Sequence, residues 1–115
     1  MKNEDMNKNL MEYENLERQL EGVVLQKHQF QLQLTEFKRA LEELKKLGTK
    51  DELYRNVGSI FLHHTNKETA EKDLKEKVEL SEVRLNGLAK QEEKLRATVM
   101  EAYKRLQEKM KEYEK

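Results

Sequence analysis

The sequence contains no cysteine and no proline. Without cysteine there are no disulfides and no thiolate zinc site, so a reducing cytoplasm is permitted. Without proline nothing interrupts a helix from within. Net charge is missing as well, because 23 Lys plus Arg balance 23 Asp plus Glu. That balance leaves no broad basic field for nucleic acid or anionic lipid. No apolar run approaches the roughly 20 residues that span a bilayer, and the first residues form no apolar signal core. The expectation is a cytoplasmic protein with neither nucleic acid nor membrane as partner.

Apolar residues are scarce: 36% of the 115 residues are hydrophobic and 40% are charged. Such a chain has too little apolar surface to close a large globular core against the entropy of ordering. Disorder would follow, unless the apolar residues fall in strict register, and they do. The first stretch, residues 1–47, holds Met6, Asn9, Tyr13, Leu16, Leu20, Val23, Lys27, Phe30, Leu34, Phe37, Leu41 and Leu44 at alternating three- and four-residue steps. Residues 66–115 repeat the pattern with Leu74, Val78, Ser81, Leu85, Leu88, Glu92, Leu95, Val99, Ala102, Leu106, Lys109 and Tyr113. Both are heptad seams of a coiled coil. At 1.5 Å per residue, about 45 residues of helix reach roughly 65–70 Å.

Folding one seam against the other predicts an antiparallel pair within a single chain. Leu44 with Leu74, Leu34 with Leu85, Phe30 with Leu88 and Leu20 with Val99 share a constant register, their numbers adding to about 118 or 119. The interruptions coincide too. Lys27 breaks the first seam and Glu92 the second, and they fall opposite each other. Such a pair fixes register and orientation better than it adds stability; the alternative is that both side chains snorkel to water. Gly48 suits the end of the first helix. Thr65 and Glu68 have capping-box spacing for the start of the second. Gly22 and Gly87 sit inside helices, either as bending points or as packing accidents. Pairs such as Glu42 with Lys46, Glu71 with Lys75 and Glu101 with Arg105 have the spacing for exposed ion pairs.

Between the seams, residues 48–65 read as a short β-hairpin. Gly58-Ser59 suits a two-residue turn, and Val57, Ile60, Phe61 and Leu62 are β-prone. A lone hairpin is marginal in water and leaves two bare edges beside apolar side chains. Pairing with other subunits, ideally into a closed barrel, removes those edges; folding back onto the helices is the other solution. The fold class is thus mainly α with a small β-hairpin: one domain, a long antiparallel two-helix coiled coil whose central hairpin joins an intersubunit β-barrel. His63 and His64 point to opposite faces of a strand and cannot readily share a metal.

The two chain ends carry more apolar residues than the seam needs. Leu10, Met11, Met100, Tyr103 and Met110 join Met6, Tyr13 and Tyr113, and all five Met residues fall in this part. Met suits surfaces that accept many partners, so a soft patch here would hold unfolded chains without sequence readout. Seam filling near frayed ends is the competing explanation. No Gly-rich phosphate loop, acid/base dyad or metal cluster is evident, so neither enzyme activity nor a cofactor is expected.

The segment Tyr54-Arg55-Asn56-Val57-Gly58-Ser59-Ile60-Phe61-Leu62 and the run from Val83 to Leu95 (Val-Arg-Leu-Asn-Gly-Leu-Ala-Lys-Gln-Glu-Glu-Lys-Leu) resemble the prefoldin family, in its archaeal-like β-type subunit. A single hairpin fits the β-type. The resemblance implies a chaperone that uses no ATP, with four β-type and two α-type subunits. Their hairpins would form a platform from which coiled-coil arms hang. It implies capture of non-native proteins at the arm tips and transfer to a group II chaperonin. By position, Val57, Ile60, Phe61 and Leu62 would assemble the platform, and Met6, Leu10, Met11, Tyr103, Leu106 and Met110 would contact clients. The rival reading is a structural coiled-coil scaffold without client binding.

Overall fold

The computed structural model of the chain describes residues 2–46 and 67–114. The described residues form two helices, α1 (Lys2–Lys46) and α2 (Lys67–Glu114), and contain no strand. The hairpin expected over residues 48–65 lies outside the described residues, and with it Gly48, Val57, Ile60, Phe61, Leu62 and Thr65.

Both helices carry charges that suit their dipoles. Glu4 and Asp5 stand in the first turn of α1, and Lys45 and Lys46 in its last. Glu68 opens α2 and Lys111 lies in its last turn. Each such placement is worth about 0.3–1 kcal/mol at a surface. Side-chain pairs one turn apart add support: Arg39 meets Glu43 at 3.4 Å and Lys77 meets Asp73 at 3.1 Å. Of the pairs expected from spacing, Glu71 and Lys75 meet at 4.0 Å. Arg105 turns away from Glu101 and instead reaches Glu12 on the other helix, at 3.4 Å.

The chain divides into two compact units, one joining residues 1–27 to 87–115 and the other made of residues 28–86. In the second unit, Leu44, Ala70 and Leu74 are fully buried, with Phe37, Ala40 and Leu41 packed against them. Leu34, Ser81 and Leu85 are buried as well. The helices run antiparallel here: Lys38 reaches Glu82 at 3.6 Å, and the Lys67 ammonium donates to the Lys45 carbonyl at 3.3 Å. Two cations cap aromatic rings at the rim of this seam. The Arg84 guanidinium lies 5.3 Å from the Phe30 ring centre, and the Lys77 ammonium 5.8 Å from that of Phe37. These distances are within reach of a cation–π attraction.

In the first unit the helices are also antiparallel, with Glu12 beside Arg105 and Lys27 beside Glu92. Val23, Ala102 and Leu106 are buried, whereas Tyr13, Leu16, Leu20, Leu95 and Val99 are half-buried. Two helices can cover only the inner stripe of each other, which is why a residue on the seam still keeps one flank in water. Both helices continue through their glycines. A methyl group built on Gly22 or Gly87 would meet nothing within 4 Å, so neither position is kept small by a neighbour in the described residues.

Candidate functional site

The first unit gathers most of the residues singled out for function. Heptad geometry gives this helix pair two lateral edges. Residues that follow the seam by one step line one edge, and those that precede it by one step line the other. The second edge is polar. There Gln19, Gly22 and Gln26 of α1 face Gln91, Lys94 and Thr98 of α2 across an open groove of about 480 Å³ with Val23 and Leu95 at its base. The Glu12–Arg105 ion pair continues this edge.

The first edge holds an apolar cleft. Tyr13 and Leu20 of α1, with Arg96, Val99, Met100 and Tyr103 of α2, line a shallow cleft of about 380 Å³. The rings of Tyr13 and Tyr103 stand 5.7 Å apart, tilted by 45°. That separation and tilt fall in the range of favourable aromatic pairs. Both hydroxyls are engaged. Gln107 donates its amide to the Tyr103 oxygen at 3.1 Å. The hydrogen bond from Tyr13 to the Glu17 carboxylate is the main cause that raises the Tyr13 pKa above its ordinary value, with burial and the Glu17 charge adding to it. With the polar tips held, the ring faces are what the cleft offers.

The expected client-contact residues divide by exposure. Met11 is 69% exposed, Met110 47% and Tyr103 42%, and Leu10 is exposed as well. Met6 is half-buried. Leu106 is 7% exposed and belongs to the packed seam, because its place in the heptad turns it toward α1. Met100, weighed for exposure in the sequence, is exposed and lines the cleft. The exposed Val24 was not singled out from sequence, although its position one step after the Val23 seam residue carries the signal.

Lys27 and Glu92 meet across the seam, with the ammonium donating to the carboxylate at 3.3 Å. Sequence spacing did not single out a third member. Arg96, one turn beyond Glu92, donates to the other carboxylate oxygen at 2.9 Å. The hydrogen bonds from Arg96 and then Lys27 hold the Glu92 carboxyl below the usual carboxylate range, against an opposing effect of burial. Among the described residues no group of three or more His, Cys, Asp or Glu side chains is placed to hold a metal ion, and no helix is long and apolar enough to cross a membrane.

Comparison with known proteins accounts for almost the whole length. The family model for prefoldin subunits matches residues 7–113. The chain is 43% identical over 98 residues to the prefoldin subunit beta of Thermococcus onnurineus, covering 85% of this chain and 84% of that one. It is 42% identical over 98 residues to that of Pyrococcus furiosus, covering 85% and 83%. Against that of Thermoplasma volcanium the identity is 36% over 98 residues, covering 85% and 76%. No solved structure matches.

Proposed function

The chain belongs to the prefoldin family, with the β-type subunits as its relatives, and on that footing we propose that it is a subunit of an ATP-independent chaperone. It holds non-native proteins on the unit built from its two ends and passes them to a group II chaperonin. Four such chains assemble with two α-type subunits through the central segment, with Val57, Ile60, Phe61 and Leu62 as the joining residues. The setting is the cytoplasm.

One observation carries the capture step. Leu10, Met11, Met100, Tyr103 and Met110 are all large, apolar and exposed, and all belong to one compact unit. Leu32, Leu80 and Val83 of the second unit are exposed as well, but the exposed methionines and tyrosine all fall in the first, and such a concentration suits an interaction site. Its methionines are flexible and polarizable, so they adapt to many side chains rather than one. Contacts of this kind are individually weak, because the site is shallow and stays wet. Several copies in one assembly gain avidity while each contact still releases quickly. Quick release suits delivery onward.

Deleting residues 1–12 and 104–115 tests the proposal against a purely structural scaffold. The expected result is an intact oligomer that no longer suppresses aggregation of a denatured model protein. Undiminished protection by the shortened chain would place client binding elsewhere and overturn the proposal.

A further inference from the structure

The two edges of the first unit differ in charge as well as in apolarity. On the apolar edge, the α1 flank carries Glu14, Glu17 and Glu21, all exposed. The α2 flank adds Glu93, also exposed, and a single cation, Arg96, whose guanidinium is already on Glu92 at 2.9 Å. Among the other cations of the unit, Arg18, Lys90 and Lys104 stand one row further out on each helix by heptad position, whereas Lys8, Lys94 and Arg105 belong to the opposite edge. The cleft between the flanks exposes Met100 and the paired tyrosines. An apolar strip bordered by uncompensated carboxylates is therefore built into one side of the helix pair and not the other.

Resting on the client-capture reading, we infer that this edge selects its occupant: an extended, non-native polypeptide segment with large apolar side chains flanked by Lys or Arg. The apolar side chains enter the cleft beside Tyr13, Met100 and Tyr103, and the flanking cations meet Glu14, Glu17, Glu21 and Glu93. Length fits this occupant. From the level of Leu10 to that of Val24 the helix rises about 21 Å, which an extended segment covers in about six residues. Such attraction between exposed charges is modest and salt-sensitive. It biases choice among apolar segments without making any of them bind tightly.

The test uses the full-length chain assembled with its α-type partner and three labelled peptides with one shared apolar centre. Their flanks are lysine, glutamine or glutamate, and binding is read by fluorescence anisotropy. At about 50 mM salt the lysine-flanked peptide should bind about fivefold tighter than the glutamate-flanked one, and at about 0.5 M salt the ratio should fall below about twofold. The double substitution Glu14→Lys and Glu21→Lys, at exposed positions, should reverse the order of preference with unchanged helix content by circular dichroism. Gln19→Lys with Thr98→Lys, on the opposite edge, should leave it intact. Equal affinities at low salt, or an equal effect from both edges, would overturn the assignment. If the wild-type assembly protects a denatured protein but ignores flank charge, only the edge assignment fails. Should it neither bind peptides nor protect, the capture reading fails with it.

Discussion

Glu92 is gripped from two directions. Lys27 reaches it across the seam at 3.3 Å and Arg96 along its own helix at 2.9 Å. Its side chain is 17% exposed, so the carboxylate is shielded enough for both cations to count. Removing either partner leaves one cation in place, whereas removing the charge of Glu92 takes from Lys27, whose side chain is 42% exposed, its ion pair across the seam. Because the folded chain depresses the Glu92 pKa, the unfolded chain binds the proton more readily in the interval between the two values. The stability that Glu92 contributes is thus complete above its ordinary value of 4.5 and is lost as pH falls through the lower folded value. Glu92→Gln should lower the melting temperature at pH 7, and should shrink the gap to wild type as pH is taken from about 5 toward 3. Thermal unfolding of both chains across that range checks it; a constant gap would mean that the carboxylate is not what couples the helices to pH.

Across whole helices, continuity through glycine is the feature that single residues do not explain. Each helix runs through a glycine with open space where a side chain would be, at Gly22 and at Gly87. Glycine inside a helix costs about 1 kcal/mol relative to alanine. Gly22→Ala and Gly87→Ala should therefore each raise stability by about that amount, seen as a higher melting temperature by circular dichroism. A loss of stability at either position would mean that assembly brings another surface against that glycine. The helices themselves were legible in the sequence because period is a strong signal. Every seam position from Met6 to Leu44 and from Leu74 to Lys109 is buried or half-buried. Register was legible for a different reason: Lys27 and Glu92 are defects, and defects must be matched. The difference between the two edges of the helix pair was not drawn from the sequence, although heptad position carries it: residues one step before the seam form the glutamine side and those one step after it the tyrosine side. Leu106 was legible from period: its heptad position puts it in the seam, where it is buried, although the family resemblance counted it among the client contacts. The partner choice of Arg105 was invisible, since local spacing offers Glu101 and only the fold offers Glu12.

For the whole molecule, the core formed by the described residues is thin. The buried side chains of the described residues are few, and several large apolar ones stay in water. The central segment adds Val57, Ile60, Phe61 and Leu62, a concentration of apolar residues that a narrow helix pair has little surface to cover. Covering them with neighbouring subunits solves two problems at once. It removes an aggregation hazard, and it brings several capture sites within reach of one client. A contact with a dissociation constant near 1 mM is worth about 4 kcal/mol, too little to hold a client singly. Linked at millimolar effective concentration, a few such contacts hold it while any one remains free to leave. On the proposed function, capture depends on assembly, and assembly on the central segment. Native mass measured at micromolar concentration, with and without an α-type partner, tests that dependence. The mixture should give a six-chain species, and Ile60→Asp with Phe61→Ser should abolish it while helix content is preserved. That variant should also lose protection of a denatured protein, although its Leu10, Met100 and Tyr103 are untouched. A well-folded monomer of the wild-type chain that protects as efficiently as the mixture would break the link between assembly and capture.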